Sequence, residues 1–370
     1  SDKKLQELFE DALAKDTREY CFYMAVKNHF EGKSFLLWDE EIRTRKPEAV
    51  KKYQELCQDE ILFYEFLQYE FQEQWAQLKC YANEQGIKII GDIPIYVAMD
   101  SADSWAHPEL FQFDADGQPE AVAGCPPDAF SATGQLWGNP LYAWDYHKKT
   151  GYDWWILRIG YSYRLYDIVR VDHFRGFEAY FSIPYGDETA VNGHWEKGPD
   201  FELFAAMKMK LGKKEMIAED LGVITPPVRK MIKKCGYPGM KVLQFAFDSY
   251  DSEYLPHNYD KNCIVYTGTH DNQTTRGWYE ENNRKVQKYI REYLRVKSGK
   301  DVVEAMIATA MSSTAGTAVI PMQDWLGLGR EARMNFPSTL GDNWKWRLTD
   351  GQLTDALAAH MKDVTETYCR

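Results

Sequence analysis

Residues 166–176 of this 370-residue chain read YDIVRVDHFRG, and apolar residues alternate with charged ones through the centre of the stretch. Side chains of a β-strand point alternately to its two faces, so the pattern predicts that Arg170 and Asp172 share one face. A guanidinium beside a carboxylate keeps the carboxylate ionised at neutral pH, which suits a nucleophile. An ordinary ion pair at a strand end explains this motif equally well.

Two later segments also run from apolar residues into polar ones. Residues 215–222, EMIAEDLG, lead to Glu219, where an apolar wall would favour the protonated carboxyl group that a general acid needs. A helix cap or plain solvent exposure is the alternative for Glu219. Residues 263–272, CIVYTGTHDN, end in His270 and Asp271, which suit the binding of vicinal hydroxyl groups. A metal site is the alternative, although a lone adjacent pair has poor ligand geometry.

From residue 87 onward, short apolar runs alternate with helical periodicity, which indicates repeated strand–helix units and a parallel sheet. Six strands are predicted, at 87–97, 168–171, 216–218, 242–247, 263–267 and 318–322. Helices are predicted at 154–166, 200–211, 228–234, 284–296 and 302–311. A closed (β/α)8 barrel needs eight strands, so the count predicts an α/β fold with an incomplete barrel.

A barrel brings the C-terminal ends of its strands to one face, where the active sites of this architecture lie. Asp172, Glu219 and Asp271 would then meet although they are far apart in the chain. One ionised and one protonated carboxyl group that flank a bond form the arrangement that cleaves glycosidic bonds. The combined pattern favours a glycoside-processing enzyme over three unrelated structural roles.

Two other parts of the chain differ from the strand–helix units in periodicity or composition. Residues 1–86 show helical periodicity without strand signals and are predicted to form a subdomain of three or four helices. Residues 87–370 are predicted to be the catalytic barrel portion. Within it, residues 101–150 are rich in Gly, Pro, Asp and aromatics, which predicts a long loop without regular structure that serves function.

Composition excludes several classes of partner. The net charge of −12 argues against nucleic acid and against an anionic membrane surface, and no 18-residue apolar window suggests a membrane span. Seven scattered cysteines without a CxxC pair predict neither a zinc ribbon nor a disulfide framework, and they fit a reducing cytoplasm. Aromatic residues make up 15% of the chain, which suits stacking on sugar rings, although a well-packed core explains the figure too.

Several motifs resemble those of the amylomaltases, the 4-α-glucanotransferases of glycoside hydrolase family 77. They follow the family's order along the chain: GDIPIYVAMDSADSW at 91–105, PPDAFSATGQLWGNPLY at 126–142, RVDHFRG at 170–176, AEDLG at 218–222, TGTHDN at 267–272, RMNFP at 333–337 and DNWKWR at 342–347. The resemblance runs from about residue 87 to the end of the chain. The fold that it implies is a (β/α)8 barrel of the α-amylase type with a substrate-covering loop insertion.

The resemblance also implies roles for individual residues. Asp172 becomes the nucleophile, Glu219 the acid/base, and Asp271 the carboxylate that holds the sugar hydroxyls. Substrate contacts are implied for Arg170, His270, Asp128, Phe130, Trp137 and Asn343. The family resemblance further implies a cytoplasmic enzyme without cofactor or catalytic metal, whose partners are maltooligosaccharides and the α-1,4-glucans of starch or glycogen metabolism.

The implied reaction transfers a segment of an α-1,4-glucan to the 4-hydroxyl of an acceptor, by a retaining double displacement through a covalent glycosyl-enzyme. A retaining α-glucan hydrolase and an inactive glucan-binding fragment are the alternatives. The first two barrel strands of the family have no counterpart, and residues 1–86 resemble only the helical insertion before its third strand. We therefore expect barrel strands three to eight in a chain that lacks the family's N-terminal segment, with an open edge suited to self-association.

Overall fold

The computed structural model of the protein describes residues 15–127, 131–337, 339 and 341–370. Contacts within the chain divide it into two compact units. The first unit comprises the chain up to Met216 together with Thr225–Cys235, and the second comprises Ile217–Ile224 and Gly236–Arg370. In the described residues, no helix is both long and apolar enough to cross a membrane.

The chain from residue 15 to residue 86 is helical apart from short connections. Its elements are α1 (Lys15–His29), a 3-10 helix (Phe35–Leu37), α2 (Glu40–Arg43), α3 (Pro47–Leu56) and α4 (Gln58–Glu84). The predicted helical character of this segment is confirmed for residues 15–86. Its core includes Trp105 from beyond residue 86, packed against Phe22 and Tyr23. A separate subdomain of residues 1–86 stays a prediction.

Helix α4 is long but buries no residue completely. Phe63, Phe71 and Leu78 are all exposed along it. Its last turns are attached to a later part of the first unit by polar side chains. Trp75 donates its indole N–H to the carbonyl of Leu165 at 2.8 Å, and the ammonium of Lys79 donates to the carbonyl of Tyr166 at 3.1 Å. Side-chain hydrogen bonds therefore supplement the limited burial of this helix.

Six short strands of the described residues lie at or close to the positions where strands are predicted, and they form two groups. In the first group, β1 (Ile90–Pro94) pairs in parallel with β4 (Ile168–Asp172), so that Asp92 lies opposite Arg170. The amide of Val169 donates to the carbonyl of Glu215 at 3.3 Å, at the start of β7 (Met216–Ala218). In the second group, β9 (Cys263–Tyr266) lies between β8 (Gly239–Val242) and β10 (Thr317–Val319).

The prediction of a strand over 242–247 was wrong in its limits. Strand β8 ends at Val242, and residues Leu243–Phe247 form a 3-10 helix. The reason is that an apolar run of this length is buried in either conformation, so hydrophobicity alone does not distinguish them. Leu243, Ala246 and Phe247 all belong to the core of the second unit.

The helices predicted after residue 150 are confirmed to within two residues at each end. They are α7 (Asp153–Leu165), α8 (Phe201–Leu211), α9 (Pro226–Cys235), α11 (Arg284–Leu294) and α12 (Val302–Ser312). Three further helices were not predicted: α10 (Thr275–Glu281), α13 (Met322–Trp325) and α14 (Asp355–Thr367). Beyond residue 150, the structure also describes 3-10 helices at Phe174–Phe177, Pro256–Asn258, Gly299–Asp301 and Arg330–Ala332.

The prediction that residues 101–150 lack regular structure was wrong. This segment contains α5 (Ala102–Ala106), a 3-10 helix (Pro108–Leu110), β2 (Ala121–Cys125), β3 (Gln135–Pro140) and α6 (Trp144–Lys149). Strands β2 and β3 join β5 (Ala179–Pro184) and β6 (His194–Lys197) in an antiparallel sheet of order β3–β2–β5–β6. Gly and Pro interrupt the alternation of β2 and β3, which hides them from a reading of periodicity.

Candidate active site

Strand β4 brings Arg170 and Asp172 together in the first unit. Val169 and Val171 point to the opposite face and are buried, which fixes the register of the strand. The side chain of Arg170 is 8% exposed, whereas that of Asp172 is 44% exposed. The guanidinium donates from Nη2 to Oδ1 of Asp172 at 2.9 Å. A buried cation at this distance favours the negatively charged carboxylate that a nucleophile requires.

Asp92 is a second partner of the same guanidinium, and sequence reasoning missed it. Nη1 of Arg170 donates to Oδ2 of Asp92 at 2.5 Å, from the opposite position on β1. Asp92 is 43% exposed, so one buried cation serves two half-exposed carboxylates on neighbouring strands. The motif at 91–105 contains Asp92, but nothing local in the sequence connects it with a residue 78 positions later.

The chain turns sharply after Asp172. His173 has a φ of 51°, in the left-handed region that favours glycine, and its side chain is partly buried. Burial, with a smaller contribution from the charge of Arg175, lowers the pKa of His173 to about 3, so the imidazole is neutral at physiological pH. The ring of Trp137 on β3 meets the His173 ring edge-on at 4.9 Å. The structure thus places Trp137 beside the residue that follows Asp172.

Glu219 follows β7 and lies in the second unit. Ile217 and Ala218 before it are buried, and Glu219 itself is 8% exposed. The amide of Leu221 donates to its Oε1 at 2.7 Å, and the chain then turns at Gly222, whose φ is 82°. Glu219 is therefore a largely buried carboxyl group with an apolar flank, which is the environment that its sequence predicts.

The carboxylate of Asp220, next to Glu219, binds to the backbone of the sheet. Its Oδ1 accepts the amide hydrogen of Met240 at 2.7 Å, which ties the end of β7 to β8. Burial raises the pKa of this carboxyl group. The close approach to Gly239, where any Cβ would meet the Asp220 carboxylate, fixes its direction.

His270 and Asp271 form a second polar cluster within the second unit. Nε2 of His270 lies 3.3 Å from Oδ2 of Asp271, and the two side chains are 31% and 40% exposed. Two residues that sequence reasoning did not assign hold Asp271 in place. Asn335 donates from Nδ2 to Oδ1 of Asp271 at 2.7 Å, and Arg333 donates from Nη2 to its backbone carbonyl at 2.8 Å.

A buried carboxyl group supports the loop that carries this cluster. Asp324 is 2% exposed and accepts hydrogen bonds from the hydroxyl groups of Thr267 and Thr275 at 2.6 and 2.7 Å. Burial raises the pKa of Asp324 despite these donors. These bonds link both ends of the segment that contains His270 and Asp271 to one buried side chain.

Asn343 has a local structural role in the structure. Its Oδ1 accepts the amide hydrogen of Phe336 at 2.9 Å, and its Nδ2 donates to Oγ1 of Thr339 at 3.0 Å. Both ends of the amide are thereby used within one turn. A contact of Asn343 with substrate stays a prediction.

The predicted site residues fall into two groups in the structure. The first unit holds Arg170, Asp172 and Trp137, and the second holds Glu219, His270, Asp271 and Asn343. Arg170 meets Asp172, and His270 meets Asp271, while convergence of the two groups stays a prediction. Asp128 and Phe130 lie outside the described residues.

Among the residues that the structure describes, no group of three or more His, Cys, Asp or Glu side chains could hold a metal ion. All seven cysteines fall within this part of the chain, and they are free thiols. The predicted absence of a catalytic metal and of a cofactor stays a prediction.

Comparison with known proteins identifies the family. The family model for the 4-alpha-glucanotransferases of glycoside hydrolase family 77 matches residues 1–354. The chain belongs to this 4-alpha-glucanotransferase family. The predicted family is therefore confirmed, and the match extends over residues 1–86 as well.

Individual members of the 4-alpha-glucanotransferase family are close in sequence and in structure. The chain is 49% identical to the 4-alpha-glucanotransferase of Clostridium butyricum, over 95% of this chain and 73% of that protein. It is 44% identical to the Thermus thermophilus 4-alpha-glucanotransferase, over 94% of this chain and 71% of the relative. The solved amylomaltase from Streptococcus agalactiae in complex with acarbose is 41% identical, with a TM-score of 0.95 over 100% of this chain and 75% of that one. The α/β fold is thus that of the amylomaltases.

Proposed function

We propose that this chain catalyses the transfer of a segment of an α-1,4-glucan to the 4-hydroxyl of an acceptor glucose or glucan. The Arg170–Asp172 pair carries the proposal, because a buried guanidinium 2.9 Å from a half-exposed carboxylate holds a charged nucleophile at a strand end. Membership of the 4-alpha-glucanotransferase family supports the choice of transfer and of α-glucans.

In the first step, an Oδ atom of Asp172 attacks the anomeric carbon of the donor glucan. The bond from that carbon to the glycosidic oxygen breaks, and the Glu219 carboxyl group gives its proton to the departing 4-oxygen. The products are a covalent glycosyl ester on Asp172 and a shortened glucan with a free 4-hydroxyl. Glu219 is 8% exposed, and its proposed role as general acid requires the protonated form at this stage.

In the second step, the Glu219 carboxylate takes the proton of an acceptor's 4-hydroxyl. The acceptor oxygen attacks the anomeric carbon, and the ester to Asp172 breaks, so that the carboxylate is regenerated. Two inversions at one carbon give net retention, and the number of glycosidic bonds is unchanged.

Other predicted residues would bind the substrate in this reaction. Asp271 and His270 would hold vicinal hydroxyls of the reacting glucose, since both are partly exposed and lie 3.3 Å apart. Trp137, beside His173, would cover the sugar together with Asp128 and Phe130 of the 126–142 segment. Asn343 completes the proposed set, through the turn that its amide fixes.

Incubation with maltotriose tests the proposed function. Transfer predicts a ladder of longer glucans together with glucose, without a rise in the total number of reducing ends. Maltose and glucose with a matching rise in reducing ends would instead identify a retaining hydrolase. If the mechanism is retaining, proton NMR of the longer glucans detects only α-configuration at the newly formed linkages. Glucan binding without either product would identify a non-catalytic binding protein.

We further propose that the six parallel strands correspond to strands three to eight of the (β/α)8 barrel of this family. Among the described strands, β1 pairs with β4 alone and β10 pairs with β9 alone, which supports two open sheet edges. Pairing of such an edge with a second copy would produce a dimer, and sedimentation velocity across a concentration series tests this.

We also propose a cytoplasmic location, in line with seven free thiols.

A further inference from the structure

Trp344 stands next to Asn343 in a segment between the 3-10 helix Arg330–Ala332 and α14. Its φ is 62°, in the left-handed region that bulky side chains rarely adopt. Hydrogen bonds hold both of its peptide groups: its amide donates to the carbonyl of Met334 at 2.8 Å, and Arg347 donates to its carbonyl at 2.9 Å. The backbone of Trp344 is therefore held in an unusual conformation.

The Trp344 ring lies against the polar cluster of the second unit while much of it faces solvent. Its centroid is 5.0 Å from that of His270, with 43° between the ring planes, and 52% of the residue is exposed. His270 in turn lies 3.3 Å from the carboxylate of Asp271. Trp344, His270 and Thr269 contribute to the lining of one cavity of about 140 Å³.

This combination matches the two surfaces of a pyranose ring. The C–H face of a glucose unit is apolar and packs on a flat aromatic surface, while its rim of hydroxyl groups needs acceptors and donors. Trp344 offers the aromatic surface, and Asp271 and His270 offer the polar atoms beside it. A tryptophan kept only for packing would be expected to bury more of its ring.

We propose that Trp344 stacks on a glucose unit of the α-glucan whose hydroxyl groups contact His270 and Asp271. The inference rests on the proposed action on α-glucans. In this arrangement Asn343 is a positioning residue: its hydrogen bonds to Phe336 and Thr339 hold the segment that presents Trp344.

Calorimetric titration with maltoheptaose tests the inference. All proteins carry Asp172→Asn, so that the glucan is bound without being converted. We expect Trp344→Ala to raise the dissociation constant for maltoheptaose by about tenfold or more. Trp344→Phe should change it by no more than about threefold, because phenylalanine keeps an aromatic face. Tyr250→Ala is the matched control, since Tyr250 is a 76% exposed aromatic residue of the same unit whose ring contacts Tyr289.

A second variant separates the ring from the backbone. Glycine adopts a φ of 62° without strain, so Trp344→Gly removes the indole and relieves the local conformation. Weak binding by Trp344→Gly together with an unchanged melting temperature supports a direct contact. Binding of maltoheptaose that is unchanged in the Ala and Gly variants overturns the inference, as does equal loss in the Phe and Ala variants.

The maltotriose assay of the unmodified chain keeps this inference distinct from the proposed function. Absence of transfer with maltoheptaose binding that depends on Trp344 would contradict the function and retain the inference. Transfer that is unaffected in kcat/KM by Trp344→Ala would retain the function and contradict the inference.

Discussion

The two compact units hold their candidate site carboxylates by different physical means. In the first unit, Asp172 ends a strand and is paired with a buried arginine that Asp92 also contacts. In the second, Asp271 lies on a loop, and a neutral amide and a backbone contact from residues 333–335 hold it. The first arrangement works mainly through charge and strand register, whereas the second works mainly through hydrogen bonds between distant loops. Substitutions should therefore affect charge-dependent chemistry in one unit and substrate positioning in the other.

The largest effect on activity is expected at the proposed nucleophile, Asp172, in the first unit. Asp172→Asn keeps the size and position of the side chain but removes the attacking carboxylate. We expect the rate of glucan transfer to fall by about 10⁴-fold, because covalent catalysis is lost while binding remains. The measurement is kcat for maltotriose disproportionation alongside maltoheptaose binding. A fall of less than about tenfold would contradict the nucleophilic role.

Acid should destabilise the first unit through the buried imidazole of His147. Burial lowers the pKa of His147 to about 4, so between about pH 4 and pH 6.5 the unfolded chain binds a proton that the folded chain does not. The free energy of unfolding should therefore rise with pH across this window and level off above it. Acidification through the window should lower it by about 3 kcal/mol. His173 acts in the same direction, whereas His270 in the second unit is 31% exposed.

Urea unfolding followed at a series of pH values measures this dependence. His147→Gln should reduce the pH slope of the unfolding free energy, whatever its effect on absolute stability. His257→Gln is the control, since His257 belongs to the second unit and its side chain is exposed. An equal slope in the wild type and the His147 variant would show that this imidazole is not the source.

Asp92→Asn separates the loss of a negative charge near Arg170 from the loss of the attacking carboxylate. It removes one negative charge beside Arg170, as Asp172→Asn does, but takes away no attacking atom. We expect kcat to fall by about 10- to 100-fold with KM little changed, because the charge-assisted bond that holds the orientation of Arg170 becomes a weaker bond to a neutral amide. Steady-state kinetics with maltotriose measures the split. A loss as large as that of Asp172→Asn would imply that Asp92 reacts directly.

The smallest effect is expected where a neutral hydrogen bond is removed. Asn335→Ala deletes the 2.7 Å donor to Asp271, which is worth about 1–2 kcal/mol and so about tenfold in KM. Asn258→Ala is a matched control, because that amide donates to the carbonyl of Ser252. A loss confined to kcat would show that Asn335 acts on the chemical step.

Sequence patterns predict the parts of this fold that depend on neighbours in the chain. The alternation around Arg170 and Asp172 and the apolar run before Glu219 both correspond to strands that end where expected. Helices such as α7 and α12 follow from 3.6-residue periodicity. Residues 243–247 were misassigned because an apolar run suits a buried strand and a buried 3-10 helix alike.

Contacts between distant residues could not be predicted in the same way. Asp92 meets Arg170 across 78 positions, and Asn335 meets Asp271 across 64, so no local pattern connects them. The antiparallel sheet was missed for a similar reason: β2 and β5 are brought together by pairing between Ala121–Gly124 and Phe181–Pro184, which only the folded chain reveals. The structural role of Asn343 likewise depends on a turn without a periodic signature.

Helix α4 has a consequence for how the molecule opens. Its 27 residues include none that is fully buried, and side chains such as Trp75 and Lys79 attach its last turns to backbone carbonyls of a later segment. An element with little buried surface separates from the rest at a lower free energy than the core does. Fluctuations that expose peptide bonds should therefore begin in α4, well below the conditions that melt β1 and β4. Chymotrypsin cleaves after aromatic residues, so limited digestion should cut first in α4, after the exposed Phe63 and Phe71.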